Sequence, residues 1–491
     1  MLIDSLLTPR SVAAVGASPN PDKIGHIVFR HLLKSRATVY PVHPTATRIL
    51  DHPVWPSVTS LPEPVDLAVL TTPAATVPSL VRECVVKGVG AVIPIAGGFG
   101  ETGEEGRKLE AEIKEAIRGT RTRVLGPNTL GVLNPAHGLD TLFLPDTRLP
   151  RPAAGSVALI SQSGAVGATL VATAASMGVG VSTFIGLGNR LDINEAELVR
   201  ELSRPGSPTS VIGLYLESFS DGPAFVEVAR EIAGRTPVVL LKAGRTATGA
   251  RAASLHTGSM AGPDRVVDGV LRQYGIVRVF DDLELVDTCL ALALSPVPER
   301  PARRVAVITC AGGQGVMLSD YIESTTRGVG LEMAPFSEGT RLRLREVVPA
   351  FASVANPVDL TGQASVPMYE QALQVVLEDP AVDAVLASVI LQLPYMNEDV
   401  LPAIARQATR YGKPVVAVLI GLKDTQEPFR VLNGMGVPAY PSLWRAVRSL
   451  AAVLRYPGLA GRARAGLRAG LEAPPRSAGA GAFGEAAGLS S

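Results

Sequence analysis

Cysteine is scarce in this chain. Cys84, Cys289 and Cys310 are the only three, far apart and odd in number. That excludes a disulfide framework and any thiolate metal spacing, and it fits a reducing cytoplasm. Aromatic residues make up only 4% of the chain, so a β-sandwich core is disfavoured. The abundant Gly and Pro beside Ala, Val and Leu suit α/β domains instead. Neither charge is in surplus: Lys plus Arg number 46 against 45 for Asp plus Glu, a net charge of +1. This leaves no basic field for nucleic acid or an anionic membrane. The N-terminal MLIDSLLTPRS has no basic stretch leading into an apolar one and does not read as a signal peptide. Long apolar runs are missing as well. Ser156 to Asn189 carries no charge, but Gly, Ser, Thr, Gln and Asn interrupt it well short of a bilayer span. A soluble, cytoplasmic protein is expected.

What is present is repetition on a doubly wound theme. A chain of 491 residues is too long for one hydrophobic core. Residues 1–150 alternate β-branched runs with helical stretches. SVAAVG, TVYPV and the segments from Leu67, Ala91 and Arg123 predict strands, and GEEGRKLEAEIKEAI predicts an amphipathic helix. That is the pattern of a parallel sheet covered by helices. Two further units, residues 153–296 and 302–456, read as copies of one another. SVALISQSGAVGATL matches RVAVITCAGGQGVML, and TPVVLLKAG matches KPVVAVLIG; YGIVRVFDDLELVDTCLALA matches MGVPAYPSLWRAVRSLAAVL. Each predicts a strand, a glycine loop and a helix, then further strand–helix repeats, as in a flavodoxin-like doubly wound domain. Pro145–Pro152 and Pro296–Arg304 read as linkers. Residues 457–491, rich in Ala, Gly, Arg and Ser, predict a mobile tail.

The first strand runs into GASPNPDKIG. Gly16 and Gly25 permit close backbone approach, and the helix that follows offers free N–H groups to a phosphate; an ordinary βα turn has the same form. The spacing is not GxGxxG, and the second strand ends TVYPVHP without an acid to hold a ribose, which argues against NAD. Thr71–Ala74, Ile95–Gly98 and Gly126–Asn128 follow later strands on the same rim, where an open parallel sheet binds its ligands. Together these loops describe a groove for an extended ligand with phosphates at one end.

Of the six histidines, only His256 falls in the two downstream units. It sits in GRTATGARAASLHTGSMAGPD, which predicts neither helix nor strand and reads as a long small-residue loop. The other copy, KPVVAVLIGLKDTQEPFRVLNG, lacks such a segment, so the shared fold does not require it. Long loops in compact domains usually carry function. A neutral imidazole, with an ordinary pKa of about 6.5, can attack a phosphoryl or acyl group near neutral pH. An incidental surface histidine is the bland alternative. Glu217, ending VIGLYLE, stands where a carboxylate could orient that ring, or where a strand-end acid is simply solvated. Ser161-Gln162-Ser163-Gly164 joins a strand to a helix start and suits an oxyanion.

In this order the residues resemble the α subunit, or α half, of the ADP-forming acyl-CoA synthetases of the succinyl-CoA synthetase superfamily. The resemblance runs from Leu6 to Tyr456. It rests on SVAAVGASPNPDKIG, VYPVHP, GGFGETGEEG, RVLGPNTLGVLNP, ALISQSGAVG, GLGN, LKAGRTATGARAASLHTGS and NPVDLTG. It implies an N-terminal Rossmann-like CoA-binding domain followed by two flavodoxin-like ligase domains. Gly16, Ala17, Ser18, Pro19 and Lys23 would lie near the nucleotide phosphates of CoA, and His43 and Pro44 by its adenosine. Thr72, Pro73, Ile95, Ala96 and Gly97 would follow the pantetheine, with Asn128 near the thioester. His256 would be a transient phosphohistidine oriented by Glu217, its phosphate held by Ser161, Gln162, Ser163, Gly164, Gly258 and Ser259, without a metal on this chain. The implied reaction interconverts acyl-CoA, ADP and phosphate with a carboxylic acid, CoA and ATP through an acyl phosphate.

Where the family often reads GPNC or GPNS, this chain has Gly126-Pro127-Asn128-Thr129. The resemblance also implies an ATP-grasp domain holding ADP or ATP with Mg2+. Nothing after Tyr456 predicts one, so a separate β-type subunit, in a heterotetramer, is expected. The rival reading is a regulatory protein that binds CoA or acyl-CoA, or the CoA-binding part of an acyltransferase; HTGS together with Glu217 argues for the enzyme. The missing citrate-synthase-like helical domain speaks against citrate cleavage. No arginine stands out as a clamp for a second carboxylate, which favours monocarboxylic acids.

Overall fold

The computed structural model describes residues 2–257, 263–324, 329–421 and 426–472. The short β-branched runs form parallel strands because helices cover both faces of each sheet; Ser11–Val15, Leu67–Leu70 and Ala91–Pro94 are buried throughout. The first sheet has five strands, in the order Thr38–Val42, Ser11–Val15, Leu67–Leu70, Ala91–Pro94 and Arg123–Val124. In the second the parallel strands run Val181–Gly186, Ala154–Ser161, Val211–Leu216, Val238–Lys242 and Val277–Val279. In the third they run Glu332–Met333, Arg304–Thr309, Ala384–Ile390, Val415–Ile420 and Ala439–Tyr440, with Val358–Asp359 also pairing to Arg304–Thr309. All three sheets are thus wound alike. Each reverses its direction of winding between its first strand and the strand at its centre, and such a switch point is where doubly wound sheets hold ligands.

The first two units exchange edges. Val132–Asn134 and Leu139–Asp140 lie before the expected linker at Pro145–Pro152, yet they extend the second sheet as antiparallel strands, Phe184 opposite Leu133 and Ile185 opposite Val132. In return, residues 189–193 run along the last strand of the first sheet. Asn189 N–H donates to Pro127 O at 2.9 Å, Leu191 N–H to Gly126 O at 2.9 Å and Ile193 N–H to Val124 O at 3.2 Å. Arg123 locks this seam, its guanidinium reaching Asp192 at 2.9 Å and Glu197 at 2.7 Å. The apolar core is continuous across it, joining Phe29 and Leu32 to Leu139, Ile160 and Leu198.

The second and third units meet through Asp282–Leu294 and the long helix Leu443–Glu472, where Cys289 and Leu290 pack with Val447 and Leu450. This helix corrects the expectation of a mobile segment from residue 457. It continues through Ala460 and Ala463, both buried, because alanine and arginine are strong helix formers and the helix has a neighbouring unit to lie on. The remaining tail, 473–491, lies outside the described residues. Among the described residues no helix is long and apolar enough to cross a membrane.

Candidate functional site

At the switch point of the first sheet, Gly16 has φ +85°, and a Cβ there would meet Thr71 Oγ1 and Thr72 Cγ2 at 2.9 Å. A Cβ on Gly25 would come within 1.9 Å of Gly16 O. The turn Gly16–Pro19 therefore rests directly on the start of the helix Ile24–Leu32. That helix follows Lys23 without a side-chain cap, so its first N–H groups are not satisfied by a capping side chain. This suits a phosphate. His26 Nδ1 lies 2.9 Å from Ser18 O and steadies the loop. His43 is half-buried, and its Nδ1 accepts from the N–H groups of Thr45 and Ala46 at 3.2 and 3.0 Å. The proton is thus left on Nε2, and the ring fixes the turn that carries Pro44. Thr72 Oγ1 accepts from Thr76 Oγ1 at 2.9 Å. Pro73 and Gly97 are exposed on the same rim, while the Ile95 side chain is buried.

The second switch point joins the predicted SQSG loop to Glu217. Gln162 Oε1 accepts from the backbone N–H groups of Glu217 (2.8 Å) and Ser218 (3.2 Å), and Gln162 N–H donates to Tyr215 O at 3.0 Å. Glu217 is 6% exposed; its Oε1 accepts from the Tyr215 hydroxyl at 3.3 Å. Burial, reinforced by that carboxylate, pushes the Tyr215 phenol up, so it remains a donor. Lys242 ends the neighbouring strand, buried, with Nζ 2.6 Å from both Glu217 O and Ala243 O. Burial, and next the charge of Arg278, lower its pKa. Ser163 caps the helix Gly164–Met177 through its side chain. Ser161 is fully buried and donates to Ser163 O at 2.7 Å, so its hydroxyl shapes the loop from inside.

His256 belongs to the same unit. The strand Val238–Lys242 leads into the helix Ala247–Thr257, which carries His256 in its last turn. This corrects the reading of residues 247–257 as a loop, and residues 258–262 of that segment lie outside the described residues. The helix's alanines supply helix propensity without an apolar stripe, so the periodicity test had nothing to detect. The side chain of His256, with Gly258 and Ser259, lies outside the described residues.

Between the first two units a cavity of about 660 Å³ brings together Ile95, Asn128, Gln162, Ser163 and Gly164. The Gly16 turn, His43 and Thr72 do not line it and belong to a separate stretch of rim. The cavity also holds side chains that the sequence did not single out: Glu101, Arg107, Glu110, Phe143, Asn189 and Arg190. Glu101 accepts from Gly98 N–H at 2.6 Å and Phe99 N–H at 3.1 Å. Burial raises its pKa, but the Asn189 amide and these N–H groups together outweigh that and keep the carboxyl below its ordinary range. Arg190, with φ +56°, donates to Glu195 Oε2 (3.2 Å), Ser218 O (2.7 Å) and Ser218 Oγ (2.7 Å).

Residues 10–135 match the family model of a CoA binding domain, residues 154–292 that of a succinyl-CoA ligase like flavodoxin domain, and residues 305–463 that of a ligase-CoA domain. A Pyrococcus furiosus protein named acetate–CoA ligase [ADP-forming] I subunit alpha is 36% identical over 464 residues, covering 93% of this chain and 98% of the relative. The chain belongs to the family of ADP-forming acetate–CoA ligase α subunits. The Archaeoglobus fulgidus acetate–CoA ligase [ADP-forming] I is 36% identical over 94% of this chain, which spans 65% of that longer protein. The solved structure of the Ca. Korarchaeum cryptofilum dinucleotide forming acetyl-coenzyme A synthetase 1, in complex with phosphate and ADP, matches with a TM-score of 0.85 at 32% identity. It covers 96% of this chain and all of that one.

The expectation that this turn holds the CoA phosphates gives the Gly16–Gly25 contact a measurable consequence. Gly25→Ala has no room for its methyl group and must lift the helix off the turn. Overpacking of this kind is expected to cost about 3 kcal/mol. CoA affinity, read by titration calorimetry, should weaken by at least about tenfold, the equivalent of ~1.4 kcal/mol.

Proposed function

We propose that this chain is the α component of an ADP-forming acyl-CoA ligase and works in the cytoplasm. The reading is carried by the second switch point. There Gln162 holds the backbone of Glu217 at the end of one strand, and the next strand leads to the helix bearing His256. In this reading phosphate attacks the thioester carbonyl of an acyl-CoA beside Asn128, expelling CoA thiolate and leaving an acyl phosphate. The His256 imidazole then attacks phosphorus, the acyl carboxylate departs, and Gln162, Ser163, Gly164, Gly258 and Ser259 hold the phosphoryl oxygens while Glu217 orients the ring. Positioning and fixed dipoles supply most of the acceleration, as in phosphoryl transfer generally. ADP collects the phosphoryl group on an ATP-grasp β subunit with Mg2+, in a heterotetramer. The relative named as a subunit alpha supports a partner of this kind.

The test is incubation of the chain with acetyl-CoA or other small acyl-CoAs and radiolabelled phosphate. CoA thiol should be released and acid-labile phosphate should appear on the protein. ADP plus an ATP-grasp subunit should then discharge it as ATP. The absence of both CoA release and protein label with every acyl-CoA tried would overturn the proposal.

A further inference from the structure

Asn189 stands where the two units close on one another. Asn189 Nδ2 donates to Glu101 Oε2 at 2.6 Å and to Glu110 Oε1 at 2.8 Å. Its Oδ1 accepts from Asn128 Nδ2 at 3.3 Å. Two carboxylates decide which way this amide faces, because a carbonyl turned toward them would meet only acceptors. Once Asn189 is so oriented, its oxygen in turn fixes the amide of Asn128, whose nitrogen must face it. Asn128 has φ +57° and is exposed at the cavity wall. One hydrogen of its Nδ2 is committed to Asn189, and the second remains for a ligand.

The backbone holds the relay in place. Asn189 N–H donates to Pro127 O and Asn128 N–H to Ala96 O. A Cβ on Gly188, itself at φ +56°, would meet Pro127 O at 2.2 Å and Asn128 O at 2.6 Å, so only glycine lets the two loops come this close.

We infer that Asn189 is a positioning residue: it passes the polarity of Glu101 and Glu110 to Asn128, so that Asn128 presents an N–H rather than a carbonyl to the acyl oxygen during attack on the thioester. The inference rests on the reading that Asn128 lies at that thioester. The N–H stabilises the oxyanion that forms when phosphate adds to the carbonyl carbon, and releases it when the C–S bond breaks. The charged groups facing Asn189 are Glu101 and Glu110. Arg107 lines the same cavity, Arg190 is spent on Glu195 and Ser218, and Arg123 with Asp192 lies behind on the seam.

Asn189→Asp keeps the shape but places a third carboxylate against the other two. Like charges raise carboxyl pKa values, and repulsion drives the ionised side chain off Glu101 and Glu110, taking away the oxygen that fixed the Asn128 amide until the cluster takes up a proton. Phosphate-dependent CoA release should fall in kcat by about 10²-fold at about pH 8.5, the scale of one lost oxyanion donor. It should recover relative to wild type as the pH falls toward about 6. CoA affinity by calorimetry should stay unchanged. Adding Glu101→Gln should restore activity at high pH: the new amide keeps its oxygen on Gly98 and Phe99 and donates its N–H to the introduced aspartate. Three results would overturn the inference alone: an Asn189→Asp defect that is the same at every pH, one that tracks lost CoA affinity, or a double variant no better than the single. A wild type that releases no CoA from any acyl-CoA would overturn the functional reading and this inference with it.

Discussion

His256→Asn is expected to abolish acid-labile labelling from acyl-CoA and phosphate while leaving the release of CoA intact. The two outcomes separate because, in the proposed reaction, phosphate attacks the thioester first, beside Asn128, and His256 acts only on the acyl phosphate. Asparagine is close to imidazole in size, but its nitrogen lone pair is delocalised into the amide and does not attack phosphorus. The variant should therefore bind CoA with unchanged affinity, accumulate acyl phosphate, and form no ATP with ADP and a β subunit. Hydroxylamine trapping of the acyl phosphate and phosphate analysis of the protein read the two halves independently. Label that persists in the variant would move the phosphoryl carrier to another residue.

Arg445→Met is expected to destabilise the protein by about 3 kcal/mol, the lower end for a buried ion pair that loses one partner, since Arg448 remains near the carboxylate. Asp287, whose side chain is 0% exposed, receives the Arg445 guanidinium at 2.7 and 2.8 Å. Arg448 lies 3.4 Å away, and the Tyr440 hydroxyl donates to Asp287 O at 2.7 Å. Asp287 is on Asp282–Leu294 of the second unit and Arg445 on Leu443–Glu472, so the pair pins one unit to the other. Burial raises the pKa of Asp287 against the opposing pull of Arg445. Without the arginine that rise must grow. A carboxyl whose folded pKa lies above its unfolded value binds more protons when folded, so its contribution to stability declines as pH rises. The deficit of the variant should be largest near neutral pH and shrink as the pH falls through the carboxylate range, as read from denaturant unfolding. Adding Asp287→Leu should recover most of the loss at neutral pH, since an apolar pair removes the stranded charge.

Much of the architecture was legible in the residues. The paired strings SVALISQSGAVGATL and RVAVITCAGGQGVML lie on strands and helices with identical roles in two sheets of the same winding. The Gly16–Gly25 spacing, read as a close backbone approach, is one. What the residues concealed was of two kinds. Helix Ala247–Thr257 and the run past Tyr456 are alanine-rich, and propensity without amphipathicity leaves no periodic mark. The wall of the cavity was hidden for a different reason. Asn189 meets its carboxylates across 88 and 79 residues, so no local spacing connects them. The strings GLGN and GGFGETGEEG held Asn189 and Glu101, and the helix string GEEGRKLEAEIKEAI held Glu110, but only the folded chain shows that they touch.

The exchange of edges between the first two units also bears on how this protein can be recombined. Cutting at residue 150 to swap the CoA-binding unit for a foreign one would carry away two strands of the second sheet with it. It would also leave residues 189–193 lying along a sheet to which they are not matched. A splice placed between Val124 and Val132 keeps each sheet's own strands together, but still asks the newcomer to accept Asn189, Asp192 and Ile193 along its border. The transferable module is thus the interlocked pair, and a library that shuffles acyl preferences among relatives should move residues 1–296 as one piece.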